Sequence, residues 1–127
     1  MHSLRNSCLA ATLFVANGLL WPNPAQGQSD CSAATTTASM QICAIARYRA
    51  ADRELADVVE QLNRRLDSTG RHRLYNAQIA WVRFRDTNAD FLADAARGGT
   101  LAPVLRITAL ADMTEARSRE LKKTLQP

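Results

Sequence analysis

Between Met40 and Leu121 apolar residues recur three and four positions apart in three successive stretches, and this period narrows the fold more than any other feature. In the first stretch Ala44, Tyr48, Ala51, Leu55, Val58, Leu62 and Leu66 fall on one stripe, with no proline between 40 and 66. Ser68-Thr69-Gly70 reads as a stop and turn. Leu74, Ala77, Trp81, Phe84 and Phe91 trace a second helix running to about Ala96, and Gly98-Gly99 breaks it. Thr100 suits an N-cap and Pro103 a first turn; Leu105, Ala109, Met113, Ala116 and Leu121 then trace a third helix that frays before Pro127. No segment alternates with the period of two that a half-buried strand requires. The short connections make neighbouring helices antiparallel, so the expected fold is all-α, a small three-helix hairpin or bundle. Eighteen alanines but only five aromatics follow residue 27, which predicts a thin core.

The segment before these helices reads as a secretory signal over residues 1–27. His2 and Arg5 give a basic start, Cys8 to Trp21 form an apolar run, and Ala25-Gln26-Gly27 ends it in a small-x-small pattern. The run is shorter than the roughly 20 residues needed to span a bilayer and is interrupted by Asn17 and Gly18, so no stable membrane anchor is expected. A lipid-modified cysteine would follow the run, whereas Cys8 opens it. Cleavage after Gly27 removes one base and no acid, reducing the net charge from +4 to +3, and it removes Cys8. Cys31 and Cys43 then remain as an even pair, expected as a disulfide in an exported chain and contributing about 3 kcal/mol on a loop-entropy argument. Residues 28–39, rich in Ser, Thr and Ala, form a lead-in held by Cys31; residues 40–124 form the helical domain. The localisation implied is periplasmic or secreted.

Local motifs for catalysis are absent. His72 sits in or near a turn with no cysteine or serine beside it, and is read as solvated. The acid pairs Asp52 with Glu54 and Asp90 with Asp94 are read as surface charges. Two histidines and three cysteines leave little for a zinc cage, and nothing points to a cofactor. Trp81-Val82-Arg83-Phe84-Arg85 interleaves aromatics with arginines, a pattern met in nucleic-acid binders. Export argues against such a partner, and helical spacing places Trp81 and Phe84 toward the core with Arg83 outward. Arg64, Arg65, Arg71 and Arg73 gather at the first turn, where they either complement a helix dipole or meet a partner.

One polar pattern sits on the apolar stripes themselves. Tyr48, Asp52 and Leu55 share a face of the first helix; Gln78, Trp81 and Arg85 share one of the second; Thr114, Arg117 and Leu121 share one of the third. A charge turned inward is costly unless paired, so Asp52 or Asp86 is expected to pair with Arg85 or Arg117 between helices.

Those residues carry a resemblance. The run Tyr48-x-x-Ala51-Asp52-x-Glu54-Leu55, then Ala77-Gln78-x-Ala80-Trp81-x-x-Phe84-Arg85-Asp86, then Gly98-Gly99-Thr100, then Met113-Thr114-x-x-Arg117-x-x-Glu120-Leu121 resembles the LprI-type lysozyme-inhibitor family, small secreted bacterial helical proteins. The likeness runs from about Cys31 to Leu121, and Ala77 to Asp86 is its specific part. Members typically carry four cysteines; the later two would fall near Ala89 and Ala109, both alanine here. Their joint loss fits their being partners of one another and leaves Cys31 with Cys43. It also implies that the second and third helices hold together by packing and by the Arg117 pairing, which makes the C-terminal hairpin the less stable half.

The resemblance implies a protein partner, a lysozyme or other cell-wall hydrolase. An inhibitor of such an enzyme must occupy a cleft with two carboxylates about 5 to 9 Å apart, and an arginine on a rigid turn suits that task. Arg71 and Arg73, or Arg97 beside Gly98-Gly99, are the contact candidates. A non-catalytic envelope module with no hydrolase target is the alternative. A secreted all-α enzyme such as a chorismate mutase would also use arginine forks, but both lysines stand at the tail and no pattern of that family is present.

Overall fold

A computed structural model describes residues 31–126 as three helices with no strand among them. The export segment read over residues 1–27 lies outside the described residues. Cys31–Ala33 form a short 3-10 turn, and Cys31 is bonded to Cys43 with Cα atoms 5.7 Å apart. The first helix, α1 (Thr37–Arg65), starts inside the Ser/Thr/Ala-rich lead-in, about three residues earlier than its apolar stripe. The cause is a capping box: the Thr36 side chain accepts from the Ser39 N–H while the Ser39 hydroxyl oxygen accepts from the Thr36 N–H.

The first connection is tighter than the sequence suggests. Leu66 ends α1 in an extended conformation, and Asp67 already caps α2 (Ser68–Ala93), its carboxylate accepting from the Gly70 N–H at 2.7 Å. Ser68-Thr69-Gly70 is therefore the first turn of α2 and not a loop. A Cβ on Gly70 would come within 3.0 Å of the Leu66 side chain and 3.1 Å of the capping carboxylate. At the other end Asp94–Ala96 tighten into a 3-10 turn, and Gly98 takes φ +78°, a conformation that favours glycine. The last helix, α3 (Ala102–Lys123), begins without the expected cap from Thr100: Leu101 occupies the N-cap position with no side-chain bond, and Pro103 lies in the first turn.

Helix α3 is the centre of the molecule. Its contact with α1 is the most extensive and that with α2 the next, whereas the backbones of α1 and α2 scarcely approach one another. Successive helices are antiparallel, so α1 and α3 run parallel, side by side. One core cluster joins Leu55, Val58 and Leu62 of α1 to Leu121, with Leu74, Trp81 and Leu125 packed against it. A second joins Ala89 of α2 to Ala109 and Leu110 of α3, with Tyr48 against it. Thus Ala89 and Ala109, the two positions where the resemblance implies a second cysteine pair, sit together in one buried cluster.

The core is thin, and partly polar. Ala44 and Ala51 of α1 are buried, as are Ala111, Thr114 and Ser118 of α3. Thr114 Oγ1 donates to the Leu110 carbonyl and Ser118 Oγ to the Thr114 carbonyl, so both hydroxyls are satisfied within their own helix. Ion pairs bind the rim: Arg47 of α1 reaches both Asp112 and Glu115 of α3, and Glu54 reaches Lys122. Phe84 and Phe91, expected on the core stripe of α2, are 60% and 73% exposed; Ala77 and Ala116, expected on their stripes, are exposed too. The inward positions of α2 are Leu74, Gln78, Trp81, Arg85 and Ala89, a stripe rotated away from the one apolar spacing selects.

Candidate functional site

Where the backbones of α1 and α2 diverge, long side chains fill the gap. Positions 78, 81 and 85 lie on one face of α2, and 48, 52 and 55 on the facing side of α1. Arg85 is 7% exposed and lies against two aromatic rings, its guanidinium carbon 5.6 Å from the Tyr48 centroid and 5.1 Å from that of Trp81. Its Nε donates to Asp86 Oδ1 at 2.9 Å, with Nη2 at 2.8 Å from the same oxygen; Asp52 Oδ1, across on α1, is 4.0 Å from Nη1. From α3, Arg117 adds a second guanidinium 5.9 Å from the Trp81 centroid. It donates to Gln78 Oε1 at 2.9 Å and to Glu120 Oε2 at 2.9 Å.

The expected pairing of inward charges is met in part. Arg85 has both aspartates, but the short contact is to its neighbour Asp86 on the same helix and the interhelical one to Asp52 is long. Arg117 has neither aspartate: an amide across the interface and a glutamate one turn on satisfy it instead. Every buried side-chain polar atom among the described residues has a partner. The cluster is a cross-brace of three helices built on one indole and two permanently charged forks.

Beside the brace lies an open cleft of about 270 Å³ between α1 and α2, lined by Asp52, Leu55, Ala56, Val59, Gln78, Trp81, Val82 and Arg85. It is smaller than the roughly 300–1,000 Å³ of ordinary small-molecule sites and has an apolar floor. That size suits one side chain of another macromolecule.

The three contact arginines differ in what they have left to offer. Arg71 Nη1 donates to the Leu66 carbonyl at 2.7 Å, closing the first turn. Arg97 grips both oxygens of Asp94, a bond that raises its already high pKa. Arg73 has no polar partner among the described residues. His72 is exposed on the second turn of α2, in contact with the Asn76 amide. Each of the four acids of the two sequence pairs faces a basic side chain: Glu54 faces Lys122, Asp90 faces Arg106, Asp94 faces Arg97, and Asp52 lies 4.0 Å from Arg85.

Two features escaped the sequence. The Arg47, Asp112 and Glu115 clasp joins residues 65 and 68 positions apart, with no local pattern to announce it. It holds the Glu115 carboxyl below its ordinary value, chiefly through the Arg47 hydrogen bond against a smaller opposing effect of desolvation. The cleft walls Ala56, Val59 and Val82 stand beside the stripes and were legible only as residues adjacent to Leu55 and Trp81.

The chain matches the family described as lysozyme inhibitor LprI over residues 29–121, a span that contains the whole brace and cleft. It is also similar to an uncharacterized protein of Rhizobium meliloti (strain 1021), 31% identical over 117 residues and covering 82% of this chain and 84% of the relative. No solved structure matches it. With the sequence blocks, the all-helical fold and the family match in agreement, the chain belongs to the LprI lysozyme inhibitor family.

Proposed function

We propose that this is an exported envelope protein, periplasmic or secreted, that binds and inhibits a lysozyme-type cell-wall hydrolase without catalysing a reaction itself. The observation that carries this is the family match across residues 29–121. Two features support export: the signal pattern of residues 1–27 and a disulfide at Cys31 and Cys43, a bond that persists in oxidising compartments. No helix among the described residues is long and apolar enough to cross a membrane. Of the contact candidates, Arg73 is the one whose guanidinium is free to enter a carboxylate-lined cleft, with Arg71 rigidifying the turn before it and Arg97 a weaker choice because Asp94 already occupies it.

The test is lysis of a cell-wall suspension by lysozymes of differing net charge, with the purified chain added in increasing molar ratio. Saturable loss of lysis is expected; full lysis at a large excess of folded protein overturns the proposal. One observation favours the alternative, an envelope module with no hydrolase target: a net +3 domain gains no electrostatic steering toward a cationic lysozyme.

A further inference from the structure

The three helices bring their charges to one end unequally. Because successive helices are antiparallel, the C-termini of α1 and α3 meet the N-terminus of α2 there, closed over Leu66, Leu74 and Leu125. Residues 60–73 and 120–126 hold six lysines and arginines against three acids, whereas the other described residues hold nine against eight. All three acids of this end are engaged: Glu60 with Arg64, Asp67 with the Gly70 N–H, and Glu120 with Arg117 of the brace. Among the cations Lys122 pairs with Glu54. Arg65 and Arg71 donate to the backbone carbonyls of Leu125 and Leu66, which orients each guanidinium through one N–H without neutralising it. Arg73 and Lys123 have no side-chain partner among the described residues. Four exposed cations are therefore left without a carboxylate. Cations in the last turns of α1 and α3 complement the helix dipoles, but Arg71 and Arg73 stand in the opening turns of α2, where the dipole disfavours them. Helix dipoles account for the first group and not for the second.

We propose that this end of the bundle binds a linear phosphate-bearing polymer, whose successive anions meet Arg65, Arg71, Arg73 and Lys123. The inference goes beyond the hydrolase reading and needs no enzyme partner. A protein interface is ordinarily built around an apolar anchor. Of the large exposed apolar side chains only Tyr75 lies near this end. A flexible polyanion needs no such anchor, since release of its counterions to solvent drives binding. Three of the four cations are arginines, whose planar forks match phosphate oxygens. The same shortage of apolar surface disfavours insertion into a bilayer.

The probe is sodium polyphosphate, titrated into the isotopically labelled full chain, with orthophosphate at equal phosphate as its comparison. Saturable displacement is expected for the amide signals of residues 64–74 and 121–126, with orthophosphate giving little. The logarithm of the association constant should fall with that of the salt concentration at a slope of about three, from four cations at roughly 0.7 each. Arg73→Gln/Lys123→Gln removes two cations and no polar contact. It should weaken binding about tenfold and lower the slope by about one to two, with helix content by circular dichroism unchanged. Arg49→Gln/Arg53→Gln, which removes free cations midway along α1, should do neither. No displacement at millimolar phosphate, displacement spread evenly to Arg49, Arg53 and Arg83, or native binding by Arg73→Gln/Lys123→Gln overturns the proposal. So does equal displacement by orthophosphate or poly-glutamate, tighter binding of a thymidylate oligomer, or binding of phosphatidylglycerol vesicles without binding of polyphosphate. The hydrolase assay separates the two proposals. Polyphosphate binding with lysis untouched removes the inhibitor and leaves this surface; inhibition without polyphosphate binding does the reverse.

Discussion

Arg85 shows why a buried charge in this fold is cheaper to lose than burial alone suggests. Removing one partner of a fully buried ion pair commonly costs 3–5 kcal/mol, by order of magnitude, because a desolvated charge is stranded. Here the two carboxylates are well hydrated, with Asp52 and Asp86 side chains 61% and 45% exposed. Losing the guanidinium leaves them in water. What Arg85 supplies is packing between Tyr48 and Trp81 and two cation–π contacts, so length and flatness matter more than the ion pair. Arg85→Met should cost about 1 kcal/mol and Arg85→Ala about 2–3 kcal/mol in urea unfolding, with Arg85→Lys no better than Met because its ammonium cannot lie flat on both rings. Equal losses for Met and Ala would show that the charge itself is what stabilises.

At the scale of the element, small buried residues complement the leucine-rich cluster between the parallel neighbours α1 and α3. Thr114 and Ser118 are fully buried, and their hydroxyls bond only to carbonyls of α3, so neither supplies a bond to another helix. Thr114→Val should therefore change stability by less than about 1 kcal/mol, while Ser118→Leu should cost about 2–3 kcal/mol or more by forcing α1 away. Urea midpoints for the two variants check the pair, and a large loss at Val would give the Thr114 hydroxyl a role not seen in its bonds.

The same helices show what was legible beforehand. In α1 the apolar residues occupy one face and the stripe was read in phase: Ala44, Ala51, Leu55, Val58 and Leu62 are the buried set. In α2 apolar residues occur all round the helix, and two of the five inward positions are Gln78 and Arg85. A stripe chosen by hydrophobicity alone therefore took in Phe84 and Phe91 and lost the phase. The polar set Gln78, Trp81 and Arg85, noticed because it broke the apolar rule, marked the true inner face. The brace was thus legible as a set of residues, but not as a pairing scheme, since partners for Arg117 depend on helix separations that no local spacing encodes. Likewise Asp67 does not announce itself as a cap, because Ser, Thr and Gly after it look equally like a turn.

At the scale of the whole molecule, the α1–α3 clasp links stability to acid. Glu115 has a folded pKa lowered from the ordinary 4.5, mainly by the Arg47 hydrogen bond. A lowered acid pKa means that the unfolded chain takes up the proton first. Its stabilising contribution is complete above the ordinary value and is lost as pH falls below 4.5 through the folded value. Thermal midpoints of the native chain should fall over that interval more steeply than those of Glu115→Gln, which should be the less stable protein near neutrality. Parallel curves for the two would remove Glu115 from the acid response.

Which part of the molecule opens first follows from where burial is concentrated. The lost cysteine pair suggested that α2 and α3 together form the weaker half, yet α3 is locked to α1 by the larger core cluster and by the ion pairs of Arg47 and Lys122. The element short of burial is α2, whose only buried residues are Arg85 and Ala89. Its ties to α3 include the Ala89–Ala109–Leu110 cluster, Asp90 with Arg106, Asn88 with Met113, and Arg117 with both Gln78 and Trp81. Amide exchange should therefore be fastest over 68–101 and slowest in α1 and α3 around Val58 and Ala111. Because Ala89 and Ala109 share one buried cluster, Ala89→Cys/Ala109→Cys should oxidise to a bridge that closes a loop across the Gly98 turn. That bridge should add about 2–4 kcal/mol and slow exchange in α2 selectively, whereas reduction should return the chain to its present stability. Uniform protection of all three helices by the bridge would mean that the molecule opens in one step, with α2 no weaker than the rest.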